Sequence, residues 1–151
     1  LDLAIANGNQ AVAGASSINA SIAILPGNAP GGQPDGTFGN AIESQPILPS
    51  VAISPWIIAS ADLNGDRILD IVSVSLIPPS AGNQTVIVLL GEEASPGRGN
   101  GQFTSPTSFP LGSASNLYDI EIEDMNGDGI LDLVVAGAGA LEILLGSGQN
   151  P

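Results

Sequence analysis

The chain has 151 residues, enough for one domain with a real core. Its 15 Asp plus Glu face two Arg, with no Lys and no His, for a formal charge of −13. No basic patch exists to neutralise phosphates, which disfavours nucleic-acid binding. The longest apolar runs, such as residues 86–90, fall far short of the ~20 residues that a membrane helix needs.

Further exclusions follow from single residue types. Cys is absent, so there is no disulfide framework and cysteine usage says little about compartment. The start, Leu-Asp-Leu-Ala-Ile, has no initiator Met and no charged n-region. No signal peptide is visible, and a mature or trimmed chain would have lost one. The aromatics are Phe38, Phe103, Phe109, Trp56 and Tyr118, so the core is expected to consist of Ile, Leu, Val and Ala. That composition suits thin, closely packed sheets. Frequent Gly and Pro punctuate the chain as turns in an all-β protein do.

In chain order, the first predicted strand is Leu1-Asp-Leu-Ala-Ile-Ala, and the second is Ser21-Ile-Ala-Ile-Leu ahead of Pro26-Gly27. Just before the second lies Asn19-Ala-Ser21, an N-glycosylation pattern that also reads as turn residues opening a strand. Residues 26–34 read as an exposed loop, followed by Asp35-Gly-Thr-Phe-Gly39. A strand at 56–61 then leads into the run Asp62-Leu-Asn-Gly-Asp-Arg-Ile-Leu-Asp70.

After the run come the predicted strands Leu69-Asp-Ile-Val-Ser-Val-Ser and Val86-Ile-Val-Leu-Leu, the latter ending at Gly91. Asn83-Gln-Thr85 repeats the glycosylation pattern, again just ahead of the second strand. Residues 91–100 read as an exposed loop, followed by Gly99-Asn-Gly-Gln-Phe103. The alternation Tyr118-Asp-Ile-Glu-Ile-Glu predicts a strand with one buried face. It leads into Asp124-Met-Asn-Gly-Asp-Gly-Ile-Leu-Asp132, then the strands Leu131-Asp-Leu-Val-Val-Ala and Leu141-Glu-Ile-Leu-Leu, closing at Gly146. No segment combines helical periodicity with caps.

These elements form a repeat. The two runs share the pattern D-x-N-x-D-x-x-x-D at an offset of 62, and Trp56 and Tyr118 each stand six residues ahead of a run. Asp2 aligns with Asp70 and Asp132, as the last ligand of a run whose earlier part is absent. The expected repeats are residues 1–67, 68–129 and 130–151, the last being a first half. Each would hold about four short strands, the size of a propeller blade with long loops. Trp56 could serve as a sugar-stacking platform, but its alignment with Tyr118 favours packing at a strand start.

Seven of the nine Asp lie in the runs or at Asp2, so the acidity is local and reads as chelation. Asp62, Asn64, Asp66 and Asp70 place side-chain oxygens at alternate positions of one loop, with the Ile68 carbonyl between the last two. Asp124, Asn126, Asp128, Asp132 and the Ile130 carbonyl do so in the other. Ca²⁺ takes several such oxygens, whereas Mg²⁺ prefers strict octahedral geometry and keeps its waters. Without His or Cys, zinc and copper lack suitable ligands.

Two filled sites would bring the formal charge to about −9, two charges per ion. Crowded carboxylates repel one another when empty, so metal binding should count directly as folding stability. One such run reads as an ordinary turn rich in Asp, Asn and Gly; two in register with a half-run at Asp2 point to metal. Position six is Gly129 in the second loop but Arg67 in the first, where a glycine-like backbone is needed. The first site is therefore expected to be weaker. The EF-hand reading fails, because Ser73 and Val135 stand where a Glu would close the loop and the flanks are strands.

The two runs, the Leu-Asp-Leu/Ile-Val strands after them and Asp35-Gly-Thr-Phe-Gly39 resemble FG-GAP/VCBS repeats, the calcium-loop blades of integrin α-chain propellers and many secreted microbial proteins. The resemblance spans nearly the whole chain, although the Phe-Gly pair becomes Phe103-Thr104 in the second repeat. It implies an all-β chain of propeller-type blades, one calcium per loop and an extracellular or cell-surface setting. It implies no single activity, since members act in adhesion, as lectins, as accessory modules of enzymes and as scaffolds.

Catalysis has little support: there is no His, no Lys and no Gly-x-Ser-x-Gly elbow, and the paired carboxylates are better explained as ligands. Two functions stay open. One is a secreted, calcium-stabilised module that binds a protein or glycan, with further repeats in the same chain. The other is a subunit of an extracellular fibre or surface layer, in which copies join head to tail and complete each other's blades. In either, residues outside this chain would complete a third calcium site at Asp2.

Overall fold

The computed structural model describes residues 2–7, 21–43, 55–75, 84–112 and 115–148. The two glycosylation patterns, at Asn19 and Asn83, lie outside them. The described residues form twelve strands and one 3₁₀ turn at Pro30–Gly32, with no α-helix among them. None of their helices is long and apolar enough to cross a membrane.

Three small antiparallel sheets and one hairpin account for the strands. The first sheet joins β1 (Leu3–Asn7), β2 (Ser21–Leu25) and β3 (Ile42–Glu43). The second joins β4 (Pro55–Ala61), β5 (Asp70–Ser75), β6 (Thr85–Leu89) and β9 (Thr107–Pro110) in that order. The hairpin of β7 (Gly91–Ser95) and β8 (Arg98–Phe103) is inserted between β6 and β9. The third sheet joins β10 (Ser115–Glu123), β11 (Asp132–Ala138) and β12 (Ala140–Leu144).

The sheets stack face to face through two apolar clusters, with the second sheet in the middle. Alternation along its central strands assigns residues to the two faces, because successive side chains of a strand point to opposite sides. Val72, Val74 and Val86 meet Leu117, Ile120, Leu133 and Val135 of the third sheet. Ile71, Ile87 and Leu89 meet Ile22 and Ile24 of the first. Burial on both faces explains why β5 and β6 read as nearly unbroken apolar runs. On the outer sheets, among the described residues, only one face packs against an apolar cluster. Ala4 turns toward the core while Leu3 and Ile5 are exposed, and Leu144 packs inward while Leu141, Ile143 and Leu145 are exposed.

Two sequence readings change. Residues 91–100 are not a loop but most of the β7–β8 hairpin, whose strands are so exposed that no hydrophobic alternation marks them. Trp56 and Tyr118 do not pack at their strand starts: they are 66% and 67% exposed. The repeat frame of 1–67, 68–129 and 130–151 counts from the strand after each run, whereas the sheets count from the strand before it. Each frame boundary therefore falls inside a β-hairpin loop.

Candidate metal centre

Loop 62–70 connects β4 to β5, and loop 124–132 connects β10 to β11. Each closes on its first aspartate. Asp62 Oδ1 accepts the N–H groups of Gly65 and Asp66 at 2.7 and 3.0 Å, and Asp62 Oδ2 accepts that of Arg67 at 2.8 Å. Asp124 does the same for Gly127, Asp128 and Gly129 at 2.7, 3.2 and 2.8 Å. The Gly129 N–H acts most strongly to hold the Asp124 carboxyl below the ordinary carboxylate range; desolvation opposes it next, and the N–H groups of Gly127, Asp128 and Asn126 reinforce the lowering.

The next residues also match bond for bond. Asn64 Oδ1 accepts the Asp66 N–H and its Nδ2 donates to Asp66 Oδ2, while Asp66 Oδ1 accepts the Ile68 N–H. Asn126, Asp128 and Ile130 repeat all three. Such a chain of Asx-type turns needs left-handed backbone at two points. Gly65 and Gly127 supply one, at φ +78° and +80°; Arg67 and Gly129 supply the other, at φ +71° and +84°. Arg67 is the one non-glycine with positive φ among the described residues.

The last aspartate of each run is buried and acts as a staple. Asp70 is 0% exposed; its Oδ2 accepts the Leu63 N–H and its Oδ1 the Gly91 N–H, both at 2.8 Å. Asp132 does likewise for Met125 and Gly146. Burial pushes the Asp70 carboxyl above the usual range, the Gly91 and Leu63 N–H groups draw it back, and Asp66 and Asp62 add to the rise. Asp2 fills the same place in the first sheet: its Oδ1 accepts the Gly27 N–H at 2.9 Å. At Gly91 and Gly146 the glycine partner is required by close approach. A Cβ at Gly91 would lie 2.6 Å from Ile68 Cγ2 and 2.7 Å from the Leu69 carbonyl oxygen, and one at Gly146 would strike Ile130 and Leu131 in the same way.

The alignment of Phe38 with Phe103 also has a structural basis. Gly27 bridges Phe38 as Gly91 pairs with Phe103. The residue after each Phe donates to the residue before each glycine, Gly39 to Pro26 and Thr104 to Leu90.

The donor set suits a hard cation: three carboxylates and one amide oxygen per loop, with no nitrogen or sulfur ligand. The carboxylates are turned onto loop N–H groups rather than onto each other, and no three acidic side chains converge as a ready-made cage among the described residues. Each oxygen that accepts one N–H keeps a lone pair for a metal. Ile68 is buried, while Ile130 is half-buried.

Sequence reasoning missed the hairpin that covers the first loop. Gly91 and Gly99 lie against the Ile68 side chain, and Gly97 lies beside Arg67. The spacing of glycines through residues 91–101 is the signal that could have marked it.

No curated protein and no solved structure matches the chain. Residues 93–150 match the family model described as an FG-GAP-like repeat. That segment runs from within the β7–β8 hairpin through loop 124–132 to just past β12, and through it the chain carries an FG-GAP-like repeat.

Proposed function

We propose that the chain is a calcium-stabilised, non-catalytic repeat module of propeller-type blades that acts outside the cell, in adhesion or ligand binding. The observation that carries this reading is the bond-for-bond identity of loops 62–70 and 124–132, extended by the Asp2–Gly27 bond. The matched FG-GAP-like repeat supports it.

In this reading, Asp62, Asn64, Asp66, Asp70 and the Ile68 carbonyl hold one Ca²⁺. Asp124, Asn126, Asp128, Asp132 and the Ile130 carbonyl hold a second, and Asp2 occupies the place of the last carboxylate in the first sheet. Bound metal would screen the carboxylates and fix the strand pair on either side of each loop. Calorimetric titration of the ion-free chain tests this, with two calcium ions bound per chain as the expected result. No binding at millimolar calcium would refute it.

One observation favours a second reading, in which copies join into a fibre or surface layer. The outer faces of both outer sheets expose apolar rows, Leu3 and Ile5 on β1 and Leu141 with Ile143 on β12. Such rows are where a further sheet would stack. Sedimentation in calcium separates the two, since open-ended assembly requires species that grow with concentration.

A further inference from the structure

The binding-module reading leaves open what the module binds, and two side chains point to an answer. Trp56 on β4 and Tyr118 on β10 are large aromatics with most of their surface exposed, while Pro55 and Leu117 just before them are buried. Neither position is an accident of a frayed strand. The register of β4 on β5 shifts between Pro55 and Ile57, and that of β10 on β11 shifts between Leu117 and Asp119. Each aromatic is therefore the extra residue of a β-bulge at the same place in two sheets. A bulge leaves its extra residue unpaired and re-aims its side chain. Two equivalent bulges thus turn two rings outward that simple alternation would have left on the sheet.

The strands that carry them, β4 and β10, lie against each other where the second and third sheets meet. Trp56 is the second residue of β4 and Tyr118 the fourth of β10, each six residues from the first aspartate of the following loop, or about 20 Å at the usual rise per residue. Two carboxylates of β10, Asp119 next to Tyr118 and Glu121 three residues on, are exposed as well. The two arginines stand elsewhere, Arg67 in the first loop and Arg98 in the hairpin.

An electron-rich ring face attracts an electropositive partner. The C–H face of a pyranose is such a partner, and its hydroxyls can donate to the carboxylates alongside. An anionic ligand would meet carboxylates with no counter-charge, and isolated rings among charges do not make the contiguous apolar patch of a protein interface.

We propose that Trp56 and Tyr118 form a two-ring platform for the neutral pyranose rings of an oligosaccharide, with Asp119 and Glu121 accepting from its hydroxyls. This rests on the binding-module reading and assigns its ligand class.

Trp56 is the one tryptophan in the chain, so its emission reports on the platform directly. The full chain in calcium is titrated with neutral gluco-, manno- and galacto-configured hexasaccharides, and with polygalacturonate as the anionic control. The expected result is a saturable blue shift with at least one neutral sugar and none with the control. Trp56→Ala and Tyr118→Ala should each weaken binding at least tenfold by calorimetry, while Trp56→Tyr keeps most of it and the thermal melt stays unchanged.

Neutral sugar binding that survives both alanine variants would overturn the platform and leave the module reading standing. The same split follows if no sugar binds and the Trp56 emission shifts with protein concentration alone, because the rings then meet a second copy. Binding of polygalacturonate as tightly as of neutral sugars overturns the neutral-ligand assignment. Failure to bind calcium, by contrast, strikes the module reading itself.

Discussion

Two residues depart from what their surroundings favour, and each departure can be measured. Arg67 holds φ +71°, in the place where Gly129 holds +84°. Left-handed backbone costs an ordinary residue ~1–2 kcal/mol, and the extra chain entropy of glycine offsets ~0.5–1 kcal/mol of that on replacement. Arg67→Gly is therefore expected to stabilise the calcium-loaded protein by roughly 0.5–1 kcal/mol, read as a rise in the urea midpoint at constant slope. A fall would mean that the contact of Arg67 with the hairpin at Gly97 outweighs the backbone cost. Ser73 is the second case. It is fully buried in β5, and its hydroxyl has no hydrogen-bond partner among the described residues. An unsatisfied buried hydroxyl costs about 1–3 kcal/mol. Ser73→Ala should raise the thermal midpoint, and an unchanged or lower midpoint would show that the hydroxyl is satisfied in solution.

The same staple recurs in three elements: a buried or sheet-end carboxylate at the start of one strand takes the N–H of a glycine at the end of the next, as Asp2–Gly27, Asp70–Gly91 and Asp132–Gly146. At Gly91 both neighbours of an added Cβ are close, and one is backbone that cannot rotate away. Gly91→Ala should cost on the order of 2 kcal/mol, as overpacking does, and should raise amide exchange at Leu63 and Ile68 before exchange in the third sheet. Uniform exchange across the chain would show that the staple is not a local element.

This level also shows what the sequence could disclose. The paired acidic loops and the strands β5 and β6 were legible because their chemistry is local: a repeated Asp-Asn-Gly turn pattern in one case, and apolar side chains for two covered faces in the other. The β7–β8 hairpin was not legible, because its residues Gly91-Glu-Glu-Ala-Ser and Arg98-Gly-Asn-Gly-Gln cover nothing with a period of two. The bulges at Trp56 and Tyr118 were invisible for a different reason: register belongs to a pair of strands, and neither strand states it alone. For that reason the packing expected of those aromatics gave way to exposure.

Across the whole molecule, stability is expected to follow the cation. The second sheet is buried between the other two, and both loops hold strand pairs that line the cluster shared by the second and third sheets. A metal that binds the folded chain alone adds RT ln(1 + [L]/Kd) of stability, or about 2.7 kcal/mol per site at a hundredfold excess over Kd. Chelation should therefore lower the melting temperature, with steeper loss where the loop has fewer other supports. The first loop has the β7–β8 hairpin against Ile68, whereas Ile130 is only half-buried against Gly146 and Gly148. The second loop should therefore gain the larger share from calcium. Asp128→Ala is expected to remove most of that gain while costing little in chelator, because among the described residues the Asp128 side-chain oxygens accept only from Ile130 and Asn126 of the same loop. Asp66→Ala should remove less. Thermal melts of the two variants in calcium and in excess chelator decide the matter. Equal losses would make the loops equivalent despite the hairpin, and melts indifferent to calcium would show that the acidic runs hold their turns by hydrogen bonds alone.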